Sequence, residues 1–380
     1  MAMPNAEREV LERTKRVGII PLEAVDRASR EFPWSDDGTS ESGGIQARRP
    51  QPEFPFRPRS PFFALPPRWA LGKAMIAIAV VFGLLDGMAA SNLALNADCA
   101  LSAQLEKSSP PIPFAGRKAG EIRDDNGLKT KLVWCPPGSF RMGSPQDEPD
   151  RDDDEDQVDV TLKSGVWLGQ CEVTQAEWQA VMGTTIRDQA AKSGAISFYG
   201  EGPNDPMYYV SHDEAREFCR KLSDRERAAG RLPAGCEYRL PTEAEWEYGC
   251  RAGTMTATAF GVKLSSRQAN FNGDIPYNGA EKGPDLSKTQ EVGRYPANPW
   301  GLRDMYGNVC ELCLDVYIHC LPGGVDPPAS AAKTFGGYVL RGGGWGYAGK
   351  YCRSADRHGV TSDTRISSLG FRLSLGPSRP

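Results

Sequence analysis

Between Asn270 and Leu312, residues that favour turns recur every few positions, and the sequence shows little helical or strand periodicity. An irregular backbone of this length must satisfy its polar groups by other means, usually bound cations, buried aromatic side chains or disulfides. The whole chain carries 41 Gly and 30 Pro without a collagen-like period. We therefore expect a fold that is rich in turns, with few long helices or wide sheets.

The charge balance excludes some classes of function. The 380 residues include 45 Lys and Arg against 49 Asp and Glu, which gives a formal net charge of −4. This balance offers no broad basic surface, so we predict that nucleic acid is not a partner. Only one apolar run exceeds ten residues, which excludes a protein that crosses a membrane several times.

The N-terminal part of the chain differs in composition from the rest. Residues 1–68 are polar and rich in Pro and Arg, and they are predicted to form a disordered arm. Residues 69–97 contain an apolar run from Ala74 to Leu85 that follows two basic residues. This pattern favours a signal peptide or signal-anchor over the alternative, a buried core helix. We therefore expect export to the periplasm or the cell exterior, or N-terminal association with a membrane.

Folded sequence is predicted to follow a connector at residues 98–127 and to occupy residues 128–375 as one domain. Three capping boxes, each a Thr or Ser followed three residues later by Glu, predict three short helices in that domain. The pairs are Thr174 with Glu177, Ser211 with Glu214, and Thr242 with Glu245.

Spacings that are typical of metal sites are mostly missing. The acidic run Asp147–Asp156 shows no ligand spacing and is expected to be a solvated loop. Cys310 and Cys313 form a C-x-x-C, which is compatible with half a zinc site completed near His319, with a redox pair, or with buried structural thiols. Zinc-hydrolase, G-x-S-x-G, G-x-G-x-x-G and Walker A motifs do not occur in the sequence. The pairing of the ten cysteines cannot be read from their positions.

Four ordered segments of the sequence resemble one family. They read LVWCPPGSFRMGS, YRLPTEAEWEYGCRAGT, NPWGLRDMYGNVCEL and VLRGGGWGYAGKYCRSADR followed by SSLGFRL. Their order and spacing are similar to those of the formylglycine-generating enzyme, or sulfatase-modifying factor, family. The resemblance implies an α+β fold, a largely irregular C-type-lectin-like variant with three short helices and small antiparallel sheets, stabilised by calcium.

The same resemblance implies where calcium would bind. Asp304 and Glu311 bracket a Gly-Asn turn, and two carboxylates with inward carbonyls offer the hard oxygen ligands that Ca²⁺ prefers. In the family's pattern the ligands correspond to the Asp304 side chain, the carbonyls of Gly307 and Val309, and the Glu311 carboxylate. A turn with solvated acids is the alternative. A second family calcium site would involve Asn270, where the spacing matches less well.

The family's activity implies a cysteine pair that this sequence lacks. Active members resemble one another in two nearby cysteines that bind Cu(I), activate O₂ and oxidise the cysteine of a sulfatase C-x-P-x-R segment to formylglycine. The first of these positions corresponds to Tyr347 and the second to Cys352. Because a phenol is not a soft ligand for Cu(I), we predict that this oxidoreductase chemistry has been lost and that the chain is a pseudoenzyme.

Three functions are therefore compared. The first is the family's copper-dependent oxidase, whose partner is a sulfatase-type polypeptide. The second is a non-catalytic module that binds a protein or another ligand through Trp345, Tyr351 and Arg357, since aromatic and Arg side chains make good interface anchors. For Trp345 the favoured alternative is a position in the hydrophobic core. The third, an enzyme similar to the iron-dependent sulfoxide synthases, is disfavoured because the first 127 residues contain no His.

Overall fold

The computed structural model describes residues 115–232, 234–329 and 337–378. The predicted arm at residues 1–68, the predicted signal or anchor at residues 69–97 and the first part of the connector lie outside the described residues. The folded part begins before the predicted start at residue 128, because a first strand already pairs at Ile122–Arg123. Among the described residues, no helix is long and apolar enough to cross a membrane.

Short helices and short strands alternate along the described part of the chain. The α-helices are α1 (Gln175–Met182), α2 (Ile186–Ser193), α3 (His212–Ala228) and α4 (Glu243–Arg251), and a 3₁₀-helix spans Gly349–Cys352. The strands are β1 (Ile122–Arg123), β2 (Leu132–Cys135), β3 (Gly138–Met142), β4 (Val158–Leu162), β5 (Val166–Gly169), β6 (Cys236–Arg239), β7 (Cys310–Val316), β8 (Gly324–Val325), β9 (Tyr338–Arg341), β10 (Arg357–Val360), β11 (Leu369–Gly370) and β12 (Ser374–Pro377). No regular element is assigned between α4 and β7, so the predicted irregular region is confirmed.

The three predicted capping boxes are confirmed at α1, α3 and α4. The structure adds a fourth helix, α2, which has a capping box of its own between Thr185 and Asp188. The sequence analysis missed this helix because the third helical residue is Asp instead of Glu. At the buried end of α4, the Thr242 side chain accepts a hydrogen bond from the Glu245 amide at 3.2 Å.

The strands form three small sheets. The orders are β1-β2-β5-β12-β6, β10-β9-β7-β11 and β3-β4-β8. Pairing is antiparallel except at β11 with β7 and at β4 with β8, which are parallel. Because β12 lies between β5 and β6, the C-terminal strand closes the first sheet against strands from much earlier in the chain.

The core consists of two groups of buried residues. Helices α1 and α3 pack in the first group, where Trp178 stacks on Phe218 with ring centroids 5.7 Å apart. Cys310 belongs to this first group and Cys313 to the second. Side chains alternate across a strand, so residues three apart on β7 point to opposite faces. The C-x-x-C is therefore neither half a zinc site nor a redox pair, and its thiols are buried.

The acidic run Asp147–Asp156 is only partly solvated, contrary to expectation. Asp154 and Glu155 are buried. The guanidinium of Arg353 donates to both oxygens of Glu155, at 2.7 and 2.6 Å. The sequence pattern shows the excess of charge in this run but not the arginine, which lies 198 residues later and neutralises part of it.

Candidate functional site

The turn between β9 and β10 carries the residues that the resemblance places at the catalytic centre. After Arg341 the chain passes through Gly342 and Gly343, which have φ values of 90° and 68°. A Cβ atom on Gly343 would lie 2.6 Å from Cys352 Sγ. Because only glycine fits both the left-handed backbone and this close approach, the backbone at Gly343 packs directly against the thiol at the end of the 3₁₀-helix.

Cys352 is fully buried, with no exposed area. Burial, followed by the negative charges of Cys310 and Asp356, raises the pKa of the Cys352 thiol well above its usual value. The thiolate is the reactive and metal-binding form of cysteine. The environment of Cys352 therefore favours the inert, protonated thiol over a nucleophile or a soft metal ligand.

Cys310 is the second thiol near this position, and the sequence analysis did not single it out for this role. It lies close enough to Cys352 for its charge to act on the Cys352 pKa, and burial raises its own pKa as well. Both residues are free cysteines, as are the other seven cysteines of the described residues. Both thiols are buried, and burial favours the protonated form of each.

Tyr347 occupies the position that the resemblance assigns to the first family cysteine. The side chain is 6% exposed, and its hydroxyl lies 3.2 Å from Ser368 Oγ, within hydrogen-bond distance. Its ring meets the ring of Tyr351 edge to face, with centroids 6.1 Å apart. The phenol is therefore a packed and hydrogen-bonded part of the turn.

Of the three predicted binding residues, Tyr351 is partly exposed, and Trp345 and Arg357 are buried. Trp345 is buried and stacks on Tyr199 with centroids 4.6 Å apart. Arg357 is buried too, and it donates to both Glu243 oxygens at 2.7 and 2.8 Å. The prediction that Trp345 and Arg357 line an exposed face is corrected, because both are occupied inside the fold.

Tyr351 is half-buried and lies among other polar groups at the surface. Lys350 Nζ lies 4.9 Å from the centre of the Tyr351 ring, a cation–π contact. The ring of His358 is 5.7 Å away on another side. We call Lys350, Tyr351 and His358 the turn surface.

Asp304, the first of the predicted calcium ligands, is a buried acid on a left-handed backbone. It has a φ of 55°, and its Oδ2 accepts a hydrogen bond from the Gly293 amide at 2.5 Å. Burial raises the pKa of Asp304 to about 6. Asp304 lines a cavity of about 10 Å³ whose other walls are mostly apolar and aromatic residues, with Gln268 and Asn298 as the other polar members. A carboxylate is a hard oxygen ligand of the kind that Ca²⁺ takes.

Both carboxylate oxygens of Glu311 already accept hydrogen bonds within the protein, so Glu311 does not suit the predicted set of calcium ligands. Its two oxygens accept hydrogen bonds from Arg372 at 2.5 and 2.6 Å. Trp246 Nε1 donates to the same carboxylate at 2.7 Å. Glu311 is therefore neutralised within the protein, and the structure corrects its assignment as a calcium ligand.

The other predicted calcium ligands lie next to each other in the irregular region. Gly307 pairs with Asn270 in an isolated bridge, and a Cβ atom on Gly307 would meet the Asn270 carbonyl oxygen at 2.2 Å. The Asn270 side chain donates to Lys288 O and to Asn308 Oδ1, each at 3.0 Å. The Val309 amide lies 3.4 Å from a Glu172 oxygen. These contacts show the segments held together by hydrogen bonds within the protein.

Glu172 is the residue at this centre that sequence reasoning missed. It is 2% exposed, and Asn308 Nδ2 lies 3.4 Å from its other carboxylate oxygen. Burial, and then the negative charges of Asp304 and Glu311, raise the pKa of Glu172 well above its usual value. Its one sequence signal is an acidic residue between apolar neighbours just before the α1 cap. We call Glu172, Asp304, Glu311 and Arg372 the acidic centre.

A family model, relatives in sequence and a solved structure all relate this chain to proteins of the formylglycine-generating enzyme type. Residues 118–375 match the family model of the sulfatase-modifying factor enzyme 1-like domain. A formylglycine-generating enzyme from Mycobacterium tuberculosis is 37% identical over 218 residues, which cover 53% of this chain and 66% of that protein. A bovine protein named inactive C-alpha-formylglycine-generating enzyme 2 is 30% identical, covering 46% of this chain and 52% of its own length. The structure of PvdO from Pseudomonas aeruginosa superimposes with a TM-score of 0.55 and 26% identity, covering 68% of this chain and 99% of PvdO.

Proposed function

Because this chain belongs to the sulfatase-modifying factor enzyme 1-like family, we propose that it binds a polypeptide segment without oxidising a cysteine in it. The observation that carries this proposal is the pair of residues at the turn between β9 and β10. Tyr347 is a hydrogen-bonded phenol, and Cys352 is a thiol with no exposed area. The bovine relative named inactive is consistent with a family member that keeps the fold and not the reaction.

Formylglycine formation depends on a soft metal that two thiolates hold. The residues present here do not fit Cu(I), because one position is a phenol and the other thiol is buried and protonated. A thiol with no exposed area also offers no sulfur for a substrate cysteine to reach. We therefore derive no oxidative step for this chain.

The proposed contact region is the turn surface. Tyr351 offers an aromatic face, Lys350 a positive charge, and His358 a ring that sits beside Asp356. The backbone beneath them is fixed by the buried Arg353, whose Nε donates to the Lys350 carbonyl oxygen at 3.0 Å. Aromatic and cationic side chains on a rigid backbone lose little entropy on binding, which suits recognition of a peptide.

The lack of turnover is tested by incubating the full chain with a C-x-P-x-R peptide, Cu(I) and O₂. We expect the mass of the peptide to stay unchanged, whereas the M. tuberculosis formylglycine-generating enzyme serves as the positive control. The mass change of cysteine conversion to formylglycine would overturn this part of the proposal.

Binding is tested with the same peptide carrying a fluorescent label. We expect Tyr351→Ala to weaken binding about tenfold or more, as for an interface anchor. Tyr295→Ala is the matched control, because Tyr295 is also half-buried and lies in the irregular region before β7. If both variants bind like the wild type, or if the wild type does not bind, the turn surface is not the contact region for this peptide.

One observation favours a second candidate, the family's oxidase. The charge of a Cys310 thiolate would act on the Cys352 pKa, so a second cysteine is a candidate partner for Cys352 although the expected first cysteine is a tyrosine. If the peptide is oxidised, Cys310→Ser and Cys352→Ser should each abolish the reaction, and Cys219→Ser, which alters a buried thiol in α3, should not.

We also propose that calcium stabilises the domain at the acidic centre. Asp304 and Glu172 are the carboxylates that would hold the ion, since Glu311 is paired with Arg372. The burial of both carboxylates supports this assignment, because carboxylate oxygens are ligands that suit Ca²⁺. The test is the melting temperature of the metal-free chain with and without Ca²⁺, which should rise in the wild type and rise less in Asp304→Asn.

Export or membrane anchoring through residues 69–97 is a further proposal that rests on their sequence alone. Fractionation of cells that produce the full chain, and a variant without residues 69–97, tests it. Retention of the wild type in the cytoplasmic fraction would contradict it.

A further inference from the structure

Three asparagines of the sequence, Asn126, Asn272 and Asn278, are each followed by glycine, and all three lie within the described residues. In an Asn-Gly dipeptide the next backbone nitrogen reaches the asparagine side chain readily, because glycine has no Cβ to shield its amide and its backbone rotates freely. We propose that Asn278 is a modification site, which converts spontaneously to aspartate and isoaspartate in the folded protein, and that the fold protects the other two asparagines.

The reaction needs no reagent except water. The backbone nitrogen of Gly279 attacks Cγ of Asn278, so that an N–Cγ bond forms, the Cγ–Nδ2 bond breaks and the proton of the attacking nitrogen leaves with ammonia. Water then opens the resulting succinimide ring at either carbonyl carbon, which leaves an aspartate or an isoaspartate. No electron is transferred. Whether an Asn-Gly reacts therefore depends on a free glycine amide, an asparagine side chain that can turn, and room for the glycine backbone to rotate.

Asn278 and Gly279 are the central residues of a tight turn at the surface. Their φ values are 51° and 66°, and the Ala280 amide donates to the Tyr277 carbonyl oxygen across the turn at 3.1 Å. Positive φ at both central residues is typical of a type I′ turn. Within the described part of the chain, the Gly279 amide donates no hydrogen bond, and a Cβ atom on Gly279 would meet no atom within 4 Å. The attacking amide is thus free, and the glycine has room to rotate.

The contacts that hold the Asn278 side chain and the Gly279 backbone are few and exposed. Asn278 Nδ2 donates to the Val262 carbonyl oxygen at 2.8 Å, and Lys263 Nζ, on an exposed side chain, donates to the Gly279 carbonyl oxygen at 3.3 Å. Water replaces hydrogen bonds at the surface at little net cost. The Asn278 side chain therefore turns toward the Gly279 nitrogen after losing one exposed hydrogen bond.

Asn126 has the same neighbour in sequence but a different environment. It is 4% exposed. Its Oδ1 accepts from the Leu128 and Thr130 amides at 3.2 and 3.1 Å, and its Nδ2 donates to the Thr130 carbonyl oxygen at 2.7 Å. The Gly127 amide, which would have to attack, donates to the two Glu226 oxygens at 3.2 and 3.3 Å. Since breaking buried hydrogen bonds is costly, both reacting groups of this dipeptide are held apart.

Asn272 is protected by packing. Its Oδ1 accepts a hydrogen bond from the Asp274 amide at 3.0 Å, and its own amide donates to the Tyr347 carbonyl oxygen at 2.9 Å. Gly273 is buried, and a Cβ atom on it would lie 2.3 Å from the Gly283 carbonyl oxygen. The backbone of another segment thus lies against Gly273, and the peptide rotation that ring closure requires is blocked.

The modification would change the main chain next to a packed residue. The Tyr277 amide donates to the Leu264 carbonyl oxygen at 3.0 Å, and the Tyr277 hydroxyl donates to the Pro149 carbonyl oxygen at 3.0 Å. A Cβ atom on Gly349, at the start of the 3₁₀-helix, would lie 2.7 Å from the Tyr277 nitrogen. Isoaspartate adds a methylene to the main chain directly after Tyr277, so we expect the modified chain to be less stable.

Incubation of the purified full chain in mildly alkaline buffer, followed by digestion and peptide mass spectrometry, tests the proposal. We expect the mass increase of amide-to-acid conversion to accumulate at Asn278 faster than at Asn126 and Asn272, by about tenfold or more. The same incubation in denaturant is the matched control, because the three dipeptides should react at similar rates once the fold is lost.

Two results would overturn the proposal. One is modification of Asn126 or Asn272 as fast as that of Asn278 in the folded chain. The other is an unmodified Asn278 in the folded chain at a time when the denatured chain has reacted. Asn278→Gln, whose longer side chain closes a ring less readily, should keep its melting temperature through an incubation that lowers that of the wild type. An equal fall in both would contradict the expected loss of stability, and none of these readouts depends on peptide binding or oxidation.

Discussion

Two buried groups of charges in this protein differ in their balance. Around α4, β9 and β10, every buried arginine has a carboxylate partner: Arg251 and Arg341 pair with Glu247, and Arg357 pairs with Glu243. In the acidic centre, Arg372 faces three carboxylates and is bound closely to one of them, Glu311. We call the first group the paired network.

This difference distinguishes charges that the protein balances by internal ion pairs from charges that require a bound proton or cation. In the paired network the ion pairs satisfy one another and join α4 to two strands, so no further group is required there. In the acidic centre, Glu172 and Asp304 are buried without a bidentate arginine, and burial raises the pKa of each. A buried carboxylate of this kind is tolerated in the folded state when it takes up a proton or binds a cation.

The largest loss of unfolding free energy should follow replacement of Arg372, the arginine of the acidic centre. Arg372→Met leaves three buried carboxylates without it, and losing one partner of a buried ion pair typically costs about 3–5 kcal/mol of unfolding free energy. Arg341→Met should cost less, because Glu247 keeps its 2.8 Å contact with Arg251. Chemical denaturation measures both.

The exposed Arg220, which pairs with Glu217 at the surface, gives the control for that comparison. Arg220→Met should leave the free energy of unfolding unchanged, since exposed ion pairs contribute little. If Arg341→Met destabilised the chain more than Arg372→Met, the contrast between the two groups would be wrong.

A smaller effect should follow the protonation of Asp304. Its pKa is raised from 3.8 to about 6 in the folded state, so the folded state binds this proton more tightly than the unfolded chain does. Stability of the metal-free protein should therefore fall as the pH rises from about 4 to about 6, and stay low above that range. The loss attributable to this group is on the order of 3 kcal/mol.

Denaturation curves at several pH values test this expectation in metal-free buffer. Asp304→Asn should show a smaller fall between pH 4 and pH 6, because its amide does not titrate. Added Ca²⁺ should restore stability above pH 6 in the wild type. An identical pH profile in the two proteins would show that Asp304 is not a source of the excess charge.

Much of this fold could be predicted because its signals are local. Each capping box, at Thr174, Ser211 and Thr242, spans only four residues, and each correctly predicted the start of a helix. The turn-rich stretch after Gly253 was visible as composition, and the structure has no regular element there until Cys310. The extra helix α2 was missed only because its box ends in Asp188.

The acidic centre and the turn surface could be predicted only in part, because their partners are distant in sequence. Glu172 meets Asn308 across 136 positions, and Arg357 meets Glu243 across 114. Residue type alone suggested that Arg357 would be an exposed anchor, and it favoured the core position that Trp345 has. Whether an arginine is a surface anchor or a buried counter-ion depends on where its carboxylate lies, and no local pattern contains that information.

The smallest effect, a change in one imidazole pKa, tests whether Asp356, the acid just before β10, is balanced by His358 or by an arginine as in the paired network. The net pKa of His358 is raised, since its acidic neighbours, chiefly Asp356, outweigh burial, which alone would lower it. Asp356 Oδ1 also lies 3.5 Å from Arg353 Nη2. We expect Asp356→Asn to lower the His358 pKa, because it removes the carboxylate that most favours the imidazolium. A raised histidine pKa adds stability at low pH that is lost as the pH rises through it.

Proton NMR can follow this change because the chain has only three histidines. His212 is an internal reference: burial lowers its pKa to about 4, and its ring stacks on Tyr338 at 3.4 Å, away from the acidic run. Asp356→Asn should therefore shift the titration of His358 and leave that of His212 in place. If the His358 titration does not move, Asp356 is balanced by Arg353 and belongs with the paired network, whose charges need nothing from solution.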